Sequence, residues 1–525
     1  MSNTTLLIRR AGLGLFLLGF TMFVVTLTLS QFRLTTSILE QTVKKEHLAV
    51  VQQATAPMVG KLYSSQFSFI SDFKTAINQL NNGYKERQQW DKVIYNNYAF
   101  SVTKAASTGF FPDNRNLFFW LSIGLALLGA LLYIIPASFQ LPGIKNNRLF
   151  QHPATSRGWI GIIVGGFLIG FYIVLYFYPE YLTNWVLLVD PLNETLSGNR
   201  NVGASASQWF LYGTLYTACI VVMGIRMLIN YRHSPYQQVR TASVMFFQTA
   251  IAFLLTELLV RLNLPGQDLK NMWPLDYSYF FDYRIDEHLR AGTLGIWMLV
   301  WGIALFVIGV PVLVYFFGKR WYCSWVCGCG GLAETLGDPY RQLSDKSLKA
   351  WKFERYSVHG VLAFAIVMTL GVGYTAITGS TSLLGVSTYD LRSWYGFGVG
   401  SIFAGVVGTG FYPLMGSRVW CRFGCPLAAY LGIVQRFKSR FRITTNGGQC
   451  ISCGNCSTYC EMGIDVRWYA QRGQDIVRSS CVGCGICSAV CPRGVLNLEN
   501  GPVATRQTEP FPIILGNNSV RVRSE

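Results

Sequence analysis

Eight runs of about twenty mostly apolar residues constrain this chain most, because a helix rising ~1.5 Å per residue needs that length to cross a ~30 Å hydrocarbon layer. They lie at 11–30, 117–136, 158–179, 208–229, 242–263, 292–317, 356–376 and 396–415. Lipid offers the backbone no hydrogen-bond partners, so such segments fold as helices and bury their polar faces against one another. The composition agrees: 13% of the 525 residues are charged, against ~25% in soluble domains. Arg9 and Arg10 precede the first run, but it is long for a signal-peptide core and has no small-residue cleavage site, so it reads as an uncleaved anchor.

The formal charge of +18 would suggest a nucleic-acid partner on a soluble protein. In a polytopic chain it follows from basic loops on the inner face, and no nucleic acid is expected. Lys145, Arg148 and Arg157, then Arg232 and Arg240, then Lys319, Arg320, Arg341, Lys346, Lys349, Lys352 and Arg355 fall in alternate loops. The opposite loops are poorer: 181–207 has Arg200, 377–395 has Arg392, and 264–291 sets Lys270, Arg284 and Arg290 against Asp268, Asp276, Asp282, Asp286 and Glu287. Both termini are thereby predicted to be cytoplasmic. The expected division is an anchor at 1–30, an extracytosolic module at 31–116 with helical character in Ser37–Gln53 and Gln66–Leu80, and membrane spans two to six within 117–317. A cytosolic loop at 318–355, spans seven and eight within 356–416, a cytosolic cysteine-rich domain at 417–500 and a docked or loose tail at 501–525 complete it. No internal repeat is apparent.

Cys219 lies in an apolar run, and the other thirteen cysteines fall between Cys323 and Cys491. On a cytoplasmic face such clustering points to ligation and not to disulfides. Cys450, Cys453, Cys456 and Cys460, and then Cys481, Cys484, Cys487 and Cys491, each read C-x2-C-x2-C-x3-C. In this bacterial-ferredoxin spacing the fourth cysteine of each run serves the other cluster. One 4Fe-4S cluster would take Cys450, Cys453, Cys456 and Cys491, and the second Cys481, Cys484, Cys487 and Cys460. Zinc ribbons also use C-x2-C pairs, but they need four thiolates and not two interleaved quartets. The first run has Glu461 where the second has Pro492, a difference expected to touch only the turn. Two C-x3-C pairs, Cys323 with Cys327 and Cys421 with Cys425, stand beside tryptophans at the ends of spans six and eight. Read as i, i+4 positions of a helix they would offer two soft ligands each for a further metal or cluster, the alternative being inert buried thiols.

At these residues the chain resembles the membrane polyferredoxins of the NosR, NapH and CcoG types over roughly 290–500. The resemblance implies several spans, C-x3-C-P motifs at the cytosolic membrane edge and a C-terminal ferredoxin-like domain with two clusters. Cys421 and Cys425-Pro426 match that motif, while Cys327-Gly328 lacks its proline and Cys329 is additional. Some members carry a flavin on a threonine in an S/T-G-A/S-T type motif; the nearest string here is Ser107-Thr108-Gly109-Phe110, so no covalent FMN is expected. The fold class expected is a polytopic α-helical membrane protein of about eight spans, with a small extracytosolic helical segment and a C-terminal α+β ferredoxin-like cytosolic domain.

No haem is expected, because His47, His152, His233, His288 and His359 do not face one another within spans. Glu257 and Arg261, four apart in span five, are candidates for proton or quinone chemistry, with snorkelling to the interface as the alternative. Gly161, Gly165, Gly166 and Gly170, and Gly396 with Gly400, suit helix packing. The function expected is an iron–sulfur electron-transfer component or oxidoreductase subunit of the bacterial inner membrane. It would link the quinone pool or a cytosolic donor to a membrane or periplasmic respiratory partner protein. The alternatives are a copper-reducing maturation factor for a terminal oxidase or reductase and a redox-sensing regulator.

Overall fold

The computed structural model describes residues 3–139, 154–197, 206–383, 385–501, 513–516 and 519–522. Lys145, Arg148, His152 and Arg200 of the charge and histidine arguments lie outside them. The chain is a polytopic helical protein; among the described residues seven helices are long and apolar enough to cross a membrane: Asn3–Thr28, Arg115–Ser138, Trp159–Phe177, Gln208–Asn230, Pro235–Arg261, Gly292–Phe317 and Leu348–Thr378. The eighth expected span is also helical, over Thr388–Trp394, Tyr395–Val407 and Gly408–Gly410, but its six glycines between 396 and 410 dilute its hydropathy. It nonetheless returns the chain: Glu354, early in Leu348–Thr378, accepts from Arg422 next to Cys421, and Cys421 lies near Cys323.

Two compact units divide the chain. The first contains Asn3–Thr28 packed on Arg115–Ser138 at very short range, since Gly12, Gly19 and Gly129 leave no side chain between the backbones. Its 31–114 module has a core of its own, built from Phe32, Leu39, Val51, Phe69, Ile70, Phe73 and Val102, all at 1% exposure or less. Helices Thr36–Thr42, Lys45–Thr55, Gln66–Glu86 and Tyr98–Ala106 surround that core. The helical expectation for this segment needs one addition: Gln31–Arg33 is the centre of a three-stranded antiparallel sheet with Leu62–Tyr63 and Ser107–Thr108. Strands of two or three residues are too short to leave an alternating pattern in sequence. Ion pairs tie the module, and Arg115 just after it, to the segment after Trp159–Phe177. Lys74 meets Glu180, and Lys104 donates to Asp190 at 3.1 Å while Arg115 donates to Glu194 at 2.7 Å.

The second unit holds the cysteine-rich half. Its largest core cluster runs from Val310 and Val314 through Cys323, Cys327, Cys421 and Cys425 to Phe441, Ile443, Cys456 and Leu496. Strand Phe441–Thr445 pairs antiparallel with Leu496–Asn500, Ile443 opposite Leu498, and this ribbon brackets both cysteine runs. In the tail, strand Ile513–Gly516 pairs antiparallel with Ser519–Val522.

Candidate metal centres

The ferredoxin-spaced runs fold as two copies of one design, offset by 31 residues. Ser452, Gly454 and Gly463 take positive φ in the first copy, and Gly483, Gly485 and Gly494 take it at the matching places in the second. These left-handed residues reverse the backbone between cysteines, which a compact ligand loop requires. Gly454 and Gly485 each start a one-turn helix, Asn455–Thr458 and Ile486–Ala489, that carries Cys456 and Cys487. A domain-level repeat is therefore present, hidden in the sequence because only cysteines and turn residues preserve it.

The runs do not close on themselves. Cys450, Cys453 and Cys456 line one hollow with Cys491, and Cys481, Cys484 and Cys487 line another with Cys460. Backbone N–H groups are aimed at the sulfurs: Ser457 at Cys456, Ile464 and Met462 at Cys460, Gly483 at Cys481 and Ile486 at Cys484. Burial pushes the Cys456 and Cys484 thiols up to about 12 and Cys481 up to about 11. Thiols so deeply desolvated stay protonated without a cation, and a bound metal reverses that balance by coordinating the thiolate. Four sulfurs per hollow with amide donors around them suit a 4Fe-4S cluster.

The C-x3-C pairs depart from the single-helix reading. Cys323 ends the one-turn helix Arg320–Cys323, the chain turns, and Cys327 is the extended residue that caps Gly328–Thr335. Cys421 sits in Val419–Phe423, and Cys425 caps Pro426–Lys438, its sulfur accepting from the Ala428 N–H at 3.4 Å. Here too one design occurs twice: Gly318, Arg320, Tyr322 and Cys323 correspond to Gly416, Arg418, Trp420 and Cys421. Gly318 and Gly416 both have positive φ, and the second cysteine of each pair donates its N–H to the aromatic carbonyl, Cys327 to Tyr322 at 2.8 Å and Cys425 to Trp420 at 2.9 Å. The turn brings together what a helix would have spaced along its face. All four are buried and lie within electrostatic reach of one another.

A fifth thiol joins them. Cys329, absent from the sequence-based site and exposed, stands beside Cys327; its thiol, with the Gly330 N–H and the charges of Lys270 and Arg418, outweighs burial and holds the Cys327 thiol down. Burial pushes Cys323 up to about 12 and Cys421 up as well.

Between the five-thiol group and the Cys484 hollow lies a buried ionic network that composition could not reveal. Arg418 donates to the Cys323 carbonyl at 3.0 Å, to Cys421 Sγ at 3.7 Å and to Glu334 at 2.5 Å, and its Nε stands 3.1 Å from Glu461. Arg341 joins Glu461 at 2.7 Å to Asp338 at 2.8 Å, and Arg240 meets Glu334. The Glu334 and Glu461 carboxylates and the Cys484 sulfur all fall within 4.8 Å of one another, and three arginines there exclude a cation. Glu461 is thus a buried anion that Arg341 and Arg418, against the cost of burial, hold below its ordinary range. Its substitution for the proline of the second run does more than shape a turn.

Other sequence candidates lie elsewhere. Tyr236 and Gln237 donate to the carbonyls of Gly483 and Cys484 at one end of Pro235–Arg261; half-buried Glu257 is ~30 Å along that helix, and Arg261 is exposed. His359 is partly buried and, among the described residues, bonds its own helix through Arg355 O at 2.7 Å. Ser107 and Thr108 are strand residues of the 31–114 module.

Residues 421–496 match the family model of the 4Fe-4S dicluster domain, and residues 297–347 and 396–444 match that of the 4Fe-4S binding domain. The latter two segments contain the two C-x3-C pairs. The chain is 27% identical over 172 residues to YccM of Escherichia coli (strain K12), a protein named for electron transport, covering 31% of this chain and 47% of that protein. It is 25% identical over 176 residues to the methylamine utilization ferredoxin-type protein MauN of Methylobacillus flagellatus, covering 28% of this chain and 50% of that one. The chain thus spans about half the length of the curated relatives it matches. No solved structure matches. Its cysteine-rich half carries 4Fe-4S ferredoxin-type domains on a multi-span helical scaffold, as in a membrane polyferredoxin.

Proposed function

We propose that this chain is a membrane-bound electron carrier with two 4Fe-4S clusters and a third thiolate-held centre at the membrane boundary. Cys450, Cys453, Cys456 and Cys491 hold one cluster, Cys481, Cys484, Cys487 and Cys460 the other, and Cys323, Cys327, Cys421 and Cys425 the third centre. The observation that carries the reading is Arg418: one buried side chain touches Cys421 and, through Glu461, reaches the surroundings of Cys484. The clusters supply one-electron chemistry when bound. The protein supplies amide donors to sulfur, exclusion of water and fixed charge, which set potential. Electrons pass between a cytosolic donor or the quinone pool and a respiratory partner across the bacterial inner membrane, with both termini and the cysteine-rich domain in the cytoplasm. The 31–116 module stands on the other face. Anaerobically purified protein should contain iron and sulfide for at least two clusters and, on reduction, show interacting EPR signals; iron near zero with zinc in its place would end this reading.

A second reading draws on the fifth thiol: five sulfurs in one group also suit Cu(I), which soft ligands favour. The third centre would then be a copper site used in maturation of an oxidase or reductase. Metal analysis of protein made with copper supplied discriminates, since copper bound in a form lost with Cys329→Ser supports this reading and iron alone excludes it.

A further inference from the structure

Residues 264–281 join the ends of Pro235–Arg261 and Gly292–Phe317 that are remote from the cysteines, so a simple connection would remain on that surface. It does not. Gln267 bonds His288 at 2.6 Å, just ahead of Gly292. Two residues later the Leu269 carbonyl accepts from Trp301 at 2.9 Å, and the Asn271 carbonyl oxygen of the side chain accepts from the Tyr322 hydroxyl at 3.2 Å. Tyr322 lies beyond the cysteine-side end of that same helix, and Met272 belongs to the core cluster of Val310, Val314, Cys323 and Cys327.

The chain then climbs back. Trp273 packs on Phe306 at 4.8 Å and donates to Thr369 at 2.9 Å, and the Tyr279 hydroxyl donates to the Leu299 carbonyl at 2.7 Å. Phe306 is fourteen residues from Gly292 and eleven from Phe317, ~21 Å and ~16 Å along the helix, which puts Trp273 deep within the bilayer thickness. Glycines admit the loop: a Cβ on Gly302 would overlap the Tyr279 hydroxyl, and Gly396 and Gly400 face Tyr277 at 3.0 and 3.4 Å. The last two were expected to pack helices; they receive an irregular segment.

Irregular backbone at this depth persists only when buried in protein, and it carries an ionisable pair inward. Lys270 is 7% exposed and meets Asp268. A group of thiolates in a desolvated site needs positive charge near it. Arg418 provides this from the ferredoxin-like side. We propose that residues 264–281 form a re-entrant loop that brings Lys270 to the membrane side of the five-cysteine site as a positioning charge, offsetting the negative charge of the centre held there. This rests on the reading that these cysteines hold a centre.

The test is a redox titration of the full chain in detergent, followed by EPR, with metal content measured in parallel. Losing a nearby positive charge disfavours the more negative, reduced state. Lys270→Met should therefore lower the potential of the third centre by the equivalent of at least tenfold, ~59 mV for one electron, leave the two ferredoxin-type clusters unmoved, and be reversed by Lys270→Arg. Should Lys270→Met lose the centre, Asp268→Asn tests the same charge from the other side, since it removes the anion paired with Lys270 and should raise the potential of the third centre. A third centre whose potential stays within threefold of wild type in the assembled variant overturns the proposal. Wild-type protein with two clusters and no further metal overturns it together with the reading beneath it, a result told apart by the metal count.

Discussion

Replacing Glu461 by proline gives the first cysteine run the residue that Pro492 supplies in the second. If the position only shaped a turn, the change would be close to neutral. The structure predicts otherwise. The Glu461 carboxylate is fully buried, 2.7 Å from Arg341 and 3.1 Å from Arg418. Around it Arg226, Arg240, Arg341 and Arg418 face Glu334, Asp338 and Glu461, so its loss leaves four cations facing two anions. Removing one member of a buried ion pair costs ~3–5 kcal/mol, since the remaining charge is desolvated without compensation. With ~2–4 °C of Tm per kcal/mol for a cooperative unit of 150–250 residues, Glu461→Pro should unfold ~6–20 °C below wild type. Glu461→Gln, which keeps shape and one hydrogen bond but not charge, should fall between them. Thermal unfolding in detergent, read by tryptophan fluorescence and by cluster absorbance, measures both. A Glu461→Pro protein that unfolds within about 2 °C of wild type would refute the assigned role of this network.

Crossed ligation predicts a crossed failure pattern: Cys460→Ser should disturb the cluster of Cys481, Cys484 and Cys487, and Cys491→Ser that of Cys450, Cys453 and Cys456. Cluster-resolved Mössbauer spectra decide, and damage confined to the mutated run in both cases would overturn the pairing. Asp338 gives a pH signature: burial opposes its charge, but Arg226 and Arg341 outweigh it and hold the carboxyl below its ordinary 3.8. A depressed folded value means stability present above about pH 4 and lost as pH falls through the folded value, so the acid-side fall in Tm should be shallower in Asp338→Asn; equal slopes would count against it. In the 31–114 module, Phe69 is 0% exposed, and Phe69→Ala should cost ~3–5 kcal/mol of local stability. Proteolysis within the module should rise while cluster spectra stay unchanged; altered spectra would show that its fold and the clusters are coupled.

Apolar run length alone determined the helical membrane scaffold, because lipid forces any such run to satisfy its own backbone. Cysteine spacing alone determined the two four-cysteine runs, because x2 loops leave few ways to wrap a compact metal group. Those signals are local, and so they are written in consecutive residues. The rest was decided by contacts between residues far apart in the chain. Arg418, Glu334, Arg341 and Glu461 are ordinary surface types in sequence, and only packing makes them a buried network. Cys323 and Cys327 were legible as a pair, but not as flanking a turn, since the C-x3-C spacing fits a helix equally well. Cys329 became part of the site only when the turn folded it toward Cys327. The 264–281 segment belongs to the acid-rich connection 264–291, which reads as a surface loop; it enters the bundle because Gly302, Gly396 and Gly400 leave room for Tyr279 and Tyr277. Side-chain space on neighbouring helices is a tertiary property, and no periodicity within the loop encodes it.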